Sequence, residues 1–282
     1  MSDKLLIIDG HNLLFQMFFG MPSRIVSRDG RPIQGVIGFV GALIKIIKQV
    51  NPQHVVVLFD GEHENKRVDI LSEYKANRID YSLVAEEDNP FTQLEDIYKA
   101  LRFMGIKFCE VADVETDDVI ASYVYRYGEA VEIVISSWDS DFFQLINDNV
   151  KVLRYRGKNT VICDTGFVED KFGIKPESYA DFKALVGDKA DNIRGADKIG
   201  PKTAAMLLGQ FGCLESILEN ADAIERQAVR KSVEESKERL LINYKIIKLD
   251  GSGTGVPFEL EELEFKYNEL RTSDVLNGIG IR

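Results

Sequence analysis

Cysteine and histidine are both scarce in this chain of 282 residues, three of each. Cys109, Cys163 and Cys213 lie far apart, which excludes a disulfide framework and a cysteine-built zinc site. They read as isolated, reduced thiols in a cytoplasmic protein. His11, His54 and His63 form no ligand cluster, and each reads as a surface or core residue. Long apolar runs are missing too. None reaches the ~20 residues that cross a bilayer. The opening "MSDKLLIIDG" stops at an aspartate after a short apolar run, so it reads as a strand and not a signal peptide. There are no internal repeats, and the one biased segment is a short Gly/Ser stretch at "GSGTG". What is there is an ordinary soluble composition, 45% hydrophobic and 29% charged. The length suits one large domain or two smaller ones. A formal net charge of −11 and a pI near 4.9 argue at face value against nucleic acid as a partner.

The acids are not spread evenly. Three continuous aliphatic runs end in them: "KLLIIDG" at Asp9, "HVVVLFDG" at Asp60, and "VEIVISSWDSD" at Asp139 and Asp141. Such runs match parallel strands covered on both faces. Between them, "GVIGFVGALIKIIKQV" and "NPFTQLEDIYKALRFMG" carry helical patterns, so an α/β fold with a mainly parallel sheet is expected. Ligands in such sheets bind beyond the carboxyl ends of the strands, where these aspartates should converge. After Asp141, "VKVLRYRGKNTVICD" reads as a pair of short strands, and from about Lys175 the chain turns mostly helical. The tail beyond the Gly/Ser stretch reads as a packing segment with no assigned place. Residues 62–95 mix both charge signs around two tyrosines and read as a partly helical excursion from the sheet.

Two further acid groups stand out. In "VETDDVIASY", Glu115, Asp117 and Asp118 fall within four positions. Thr116 is expected to cap a helix there, continued by Val119, Ile120, Tyr123, Val124 and Tyr127. A helix dipole worth ~0.3–1 kcal/mol per group offsets only part of the repulsion among three carboxylates. In "LVGDKADNIRG", Asp188 and Asp191 stand three apart. Taken singly, each acid reads most simply as a cap or turn residue. As a set of nine, without His or Cys, they offer hard oxygen donors of the kind that select Mg²⁺ or Mn²⁺. Two ions ~3.5–4 Å apart suit in-line phosphoryl displacement. A metal site built of acids accounts for much of the negative balance, so the acidic pI does not exclude DNA.

Two basic motifs follow. "IRGADKIGPKTA" sets Gly195 and Gly200 around a short turn, with Pro201 pre-setting a helix. Backbone N–H groups there, with Lys202 and Thr203, would face a phosphate. This is a helix-hairpin-helix signature, which grips duplex backbone without reading bases. In "EYKANR", Lys75 and Arg78 lie three apart, as on one helix face, with Tyr74 beside them. Alone this reads as a solvated face; beside the acids it reads as a cationic clamp with an aromatic platform.

In this order, "IIDGHNLLF", "LFDG", "EYKANR", "ETDD", "WDSDFFQL", "KALVGDKADNIRG" and "KIGPKTA" resemble the bacterial and phage 5′-nucleases, over roughly residues 4 to 250. That family comprises the 5′→3′ exonuclease domain of DNA polymerase I and related flap endonucleases. The resemblance implies a PIN-like, mainly parallel sheet with flanking helices over residues 1–174, with a helical arch at about 62–95. It implies a helical region at 175–282 with a helix–three-turn–helix DNA-binding element, the hairpin lying at about 192–212. It implies an enzyme that hydrolyses phosphodiesters at 5′ flaps and 5′ ends of DNA in replication and repair, as a cytoplasmic monomer of stand-alone form. The implied cofactor is Mg²⁺, in two or more ions and replaceable by Mn²⁺, with K⁺ at the hairpin. Asp9, Asp60, Glu115 and Asp117 would hold the first metal site. Asp118, Asp139, Asp141, Asp188 and Asp191 would hold the second, with Asp117 shared. Tyr74, Lys75, Arg78 and Lys183 would serve the reaction, and Arg194, Lys198, Gly200, Lys202 and Thr203 would contact DNA.

Three departures accompany the resemblance. Gln16 stands where many relatives carry arginine, Lys198 where glycine is usual, and "AEEDN" makes the arch less basic. Two rivals remain open at this stage. A haloacid-dehalogenase-like phosphatase would use "DSD" and "GDKADN" but leaves Asp9, Asp60 and the hairpin unexplained. A non-catalytic DNA-junction binder would gain nothing from concentrating carboxylates near phosphates.

Overall fold

The computed structural model describes residues 3–28, 30–61, 67, 70–71, 73–77, 79–112 and 114–281. Its frame is a six-stranded sheet of β1 (Lys4–Asp9), β2 (His54–Asp60), β3 (Lys107–Val111), β4 (Glu132–Ser136), β5 (Val150–Arg154) and β6 (Val161–Cys163), in the order β3-β2-β1-β4-β5-β6. Every pair is parallel except the edge pair β5–β6. The central strands are apolar on both sides because both sides are covered. Leu5 and Ile7 of β1 face one core, and Leu6 and Ile8 face the other.

The second core is closed by α1 (Gly10–Gly20), α2 (Gln34–Val50) and α3 (Leu94–Met104). Helix α2 inserts Val36, Phe39, Val40, Leu43 and Ile47 at helical spacing. Its end is an αL residue, Asn51, whose N–H bonds the Ile47 carbonyl. The first core is closed by α4 (Thr116–Tyr127), α5 (Thr165–Phe172), α6 (Tyr179–Val186), α7 (Pro201–Phe211), α8 (Leu214–Glu219) and α9 (Gln227–Ile247). The unplaced tail finds its position here: α10 (Thr272–Gly278) lies against α2 and α3. Strand β3 and helices α1 and α5 are additions to what the sequence patterns predict.

The other strands and most other helices fall where hydrophobic patterning puts them. Two local expectations change. Thr116 is not the cap of α4: Glu115 occupies that position, without a side-chain cap bond. The role passes to Asp60, whose carboxylate accepts the Thr116 N–H at 3.2 Å. Lys75 does not lie on a helix. Residues 73–77 form a turn, Lys75 has φ of 56°, and its N–H bonds the Asp191 carbonyl at 3.1 Å.

The expected hairpin region is entered from a two-stranded ladder of β7 (Gly187–Asp188) and β8 (Ile193–Arg194) and turns over residues 195–200 into α7. It is so tight that a Cβ on Gly195 would lie 2.3 Å from the Val186 carbonyl carbon. Buried Asn243 of α9 ties it down, donating to the carbonyls of Ala184 and Arg194 at 3.1 and 2.8 Å.

Candidate functional site

Strand ends deliver the acids. Asp9 closes β1 and caps α1, accepting the Asn12 N–H at 3.1 Å. Asp60 closes β2 and caps α4. Each acid therefore has a structural task, yet their charges gather at one edge. Ser137, just past β4, donates to Asp9 at 2.8 Å and accepts the Asp139 N–H at 3.0 Å. Asp139 in turn accepts the Asp141 N–H at 2.8 Å. Ser137 was not singled out from the sequence; its place directly before "WDSD" is the only signal.

Electrostatics record the crowding. Burial pushes the Asp9 carboxyl up to about 7, with the charges of Asp60 and Asp139 adding to it. Burial also raises Asp117 well above the carboxylate range; Asp139, Asp9 and Asp60 add to the rise, and Lys75 opposes it. Asp117 thus stands electrostatically between the two expected groups. Asp141 is pushed up to about 7 by burial, which Lys183 opposes and Asp139 and Asp191 reinforce. Asp188 is lowered, because its burial is outweighed by Lys183 and by the N–H groups of Ala190 and Asp191. Asp118 is raised by burial, against Arg67 and a backbone hydrogen bond from Asp250.

Among the described residues, no three His, Cys, Asp or Glu side chains close on a common point as a ready ligand set. The reason is visible in the ion pairs. Lys183, itself buried, reaches Asp141 and Asp188. Lys75 reaches Glu115 at 3.0 Å, and Arg67 bridges Glu115 and Asp118, the latter at 2.9 and 3.1 Å. Protein cations neutralise carboxylates that would otherwise repel. Arg67 was missed, because "ENKRVDI" shows no pattern that marks it out.

The donor set fits a divalent cation. It consists of oxygen alone and it is partly buried.

The remaining expected residues divide. Tyr74 is 5% exposed, its hydroxyl 3.4 Å from Glu115 and its ring 4.8 Å from the Lys75 ammonium, so it packs in the core and presents no platform. Arg78 lies outside the described residues. Arg194 is exposed and forms a two-point pair with Asp197 at 2.8 and 3.0 Å. Lys198 sits at φ of 63°, the left-handed conformation glycine adopts freely, so its departure is a local strain. Gly200 precedes Pro201, the first residue of α7, and Lys202 and Thr203 lie in its first turn, where N–H groups have no helical partner. Gln16 donates to the Tyr155 carbonyl. In the "AEEDN" segment, Glu87 and Asp88 both pair with Arg24, which offsets part of their charge.

Two family models match the chain: the N-terminal resolvase-like domain of 5′-3′ exonucleases over residues 4–173, and their C-terminal SAM fold over residues 174–271. The chain belongs to the 5′-3′ exonuclease family. A 5′-3′ exonuclease of Aquifex aeolicus is 34% identical over 264 residues, covering 93% of this chain and 86% of its own. The thermostable DNA polymerase I of Thermus thermophilus is 34% identical over 259 residues; these are 92% of this chain but 30% of the polymerase. The fold is similar to that of the bacteriophage T5 D15 flap endonuclease, solved as a pseudo-enzyme-product complex with DNA and metal ions. The TM-score is 0.74 at 23% identity, over 98% of this chain and 99% of that one. Family membership makes the chain a nuclease and removes the dehalogenase-like reading.

Proposed function

We propose a Mg²⁺-dependent nuclease that cuts 5′ single-stranded flaps from DNA and removes 5′ nucleotides, leaving a 5′-phosphate and a 3′-hydroxyl. The observation that carries this reading is the gathering of buried carboxylates at the carboxyl edge of the sheet, with Asp9 and Asp141 each held at about 7. Crowded, buried carboxylates with raised pKa values are the pattern of a functional site, and an all-oxygen set of them suits divalent cations. Asp9, Asp60, Glu115 and Asp117 would hold one ion, and Asp118, Asp139, Asp141, Asp188 and Asp191 a second. When bound, divalent ions supply the positive charge that eases deprotonation of water and offsets charge on the leaving oxygen.

The chain's own groups do the rest. Lys183 keeps Asp141 and Asp188 together. Lys75, at 15% side-chain exposure beside Glu115, supplies a cation to the scissile phosphate, with Arg78 three residues on. Tyr74 fixes that turn against Glu115. The first turn of α7, with Lys202, Thr203 and Gly200, holds a duplex phosphate. Lys198 and Arg194 add charge toward the same backbone, and hairpin carbonyls suit a K⁺ ion. The protein acts as a monomer.

An end-labelled 5′-flap duplex, incubated with and without Mg²⁺, tests the reading. Metal-dependent products cut at the junction support it. An uncut flap that is nonetheless bound supports the non-catalytic junction binder instead.

A further inference from the structure

Among the described residues, Arg67, Lys75 and Lys183 are committed to carboxylates, but Arg154 of β5 pairs with none. Its Nη2 donates to the Trp138 carbonyl at 2.9 Å, and its Nε is buried without a hydrogen-bond partner. The guanidinium lies 4.5 Å from the Phe143 ring centroid and 5.6 Å from that of Trp138. Trp138 immediately precedes Asp139. Its amide donates to Asn12 at 3.0 Å and its indole N–H to the Tyr155 carbonyl at 3.0 Å. The ring is therefore fixed at both ends, yet 37% of the residue remains exposed. A structural brace between the β4 loop and β5 accounts for the hydrogen bonds. It accounts neither for a rigid aromatic left open at the rim of an acid cluster nor for an arginine without an acid.

We propose that Trp138 and Arg154 form a nucleotide subsite at this rim. The indole stacks on an unpaired base, and the guanidinium meets the neighbouring phosphate. Stacking gives affinity without base preference, and the arginine supplies, beside that ring, a cation with no carboxylate partner among the described residues. The subsite rests on the nuclease reading of the adjacent acids, because it takes its strand from the same substrate.

Trp138 is the only tryptophan of the chain, so tryptophan emission reports on this position alone. The test titrates a fluorescein-labelled 5′-flap duplex into the full chain, with Ca²⁺ in place of Mg²⁺ and the substrate checked intact on a gel. Saturable quenching of Trp138 in step with the rise in DNA anisotropy is expected. Trp138→Ala should weaken binding roughly tenfold, and Trp138→Phe should recover most of it. Arg154→Met keeps an unbranched side chain of similar reach beside the two rings and removes the charge. It should lower the slope of log K against log salt by about 0.7 to 1, and Arg154→Lys should restore it. An anisotropy rise with unchanged Trp138 emission overturns the proposal, as does an Arg154→Met slope equal to wild type. The wild-type emission needs no variant, so the test survives one that fails to fold. Mg²⁺-dependent cleavage without quenching removes the subsite alone; quenching without any Mg²⁺-dependent cleavage removes the nuclease reading and leaves the subsite.

Discussion

Lys183 concentrates the physics of the site in one side chain. It is 6% exposed and faces Asp141 and Asp188. Burial disfavours its ammonium, but Asp141, Asp188 and Asp139 outweigh that and hold it charged beyond the usual lysine range. Removing one member of such a group leaves uncompensated buried charge, at a cost of ~3–5 kcal/mol. Lys183→Met should therefore lose about that much in urea unfolding in EDTA and regain part of it with Mg²⁺. A loss below ~1 kcal/mol would show that the pair is not strongly coupled. For the chemistry, Asp139→Asn or Asp188→Asn should abolish flap cleavage with DNA affinity largely kept; wild-type rates in either would remove those residues from the site. Lys75→Ala should slow single-turnover cleavage far more than it weakens binding, and equal losses would contradict its role at the scissile phosphate.

At the scale of elements, the hairpin is the most exacting. A methyl group on Gly195 would meet the Val186 backbone at 2.3 to 2.4 Å, so Gly195→Ala should cost more than ~2 kcal/mol and weaken duplex binding with it. Lys198 points the other way. Its left-handed backbone costs ~1–2 kcal/mol, against ~0.4–1 kcal/mol of extra unfolded-state freedom for glycine. Lys198→Gly should thus gain roughly 0.5–1 kcal/mol in thermal unfolding while losing one of the positive charges proposed to meet DNA.

The same scale explains what could be read from sequence. Strands β1, β2 and β4 were legible because aliphatic runs ended in aspartate. Helix α1 was not, because Asp9 is at once a strand end and a helix cap, with no turn between. Strand β3, "KFCEV", is half-exposed at the sheet edge and lacks a continuous apolar run. The turn at Lys75 hid behind a spacing that also fits a helix; a tertiary bond to the Asp191 carbonyl decides it. That the acids share one edge followed from topology, whereas their pairing with Arg67, Lys75 and Lys183 depends on side chains brought from distant segments.

For the whole molecule, the buried acids link stability to pH. Asp9 and Asp141 have folded-state values of about 7, above the ~3.9 of an unfolded aspartate. The folded state therefore binds more protons between these values, and stability falls as pH rises from about 4 to 7. In EDTA the melting temperature should drop across that window. Mg²⁺ should raise it more at pH 8 than at pH 5, where protons compete for the same carboxylates. A melting temperature indifferent to both pH and Mg²⁺ would deny that these carboxylates are buried together.

The central claim, that the acids at the sheet edge hold divalent ions, is met most directly by Mn²⁺ soaked into crystals of the full chain. Anomalous density is expected among Asp9, Asp60, Glu115 and Asp117, and again among Asp139, Asp141, Asp188 and Asp191. Crystals that bind no Mn²⁺ there, with Lys183 and Lys75 still paired to their carboxylates, would contradict it.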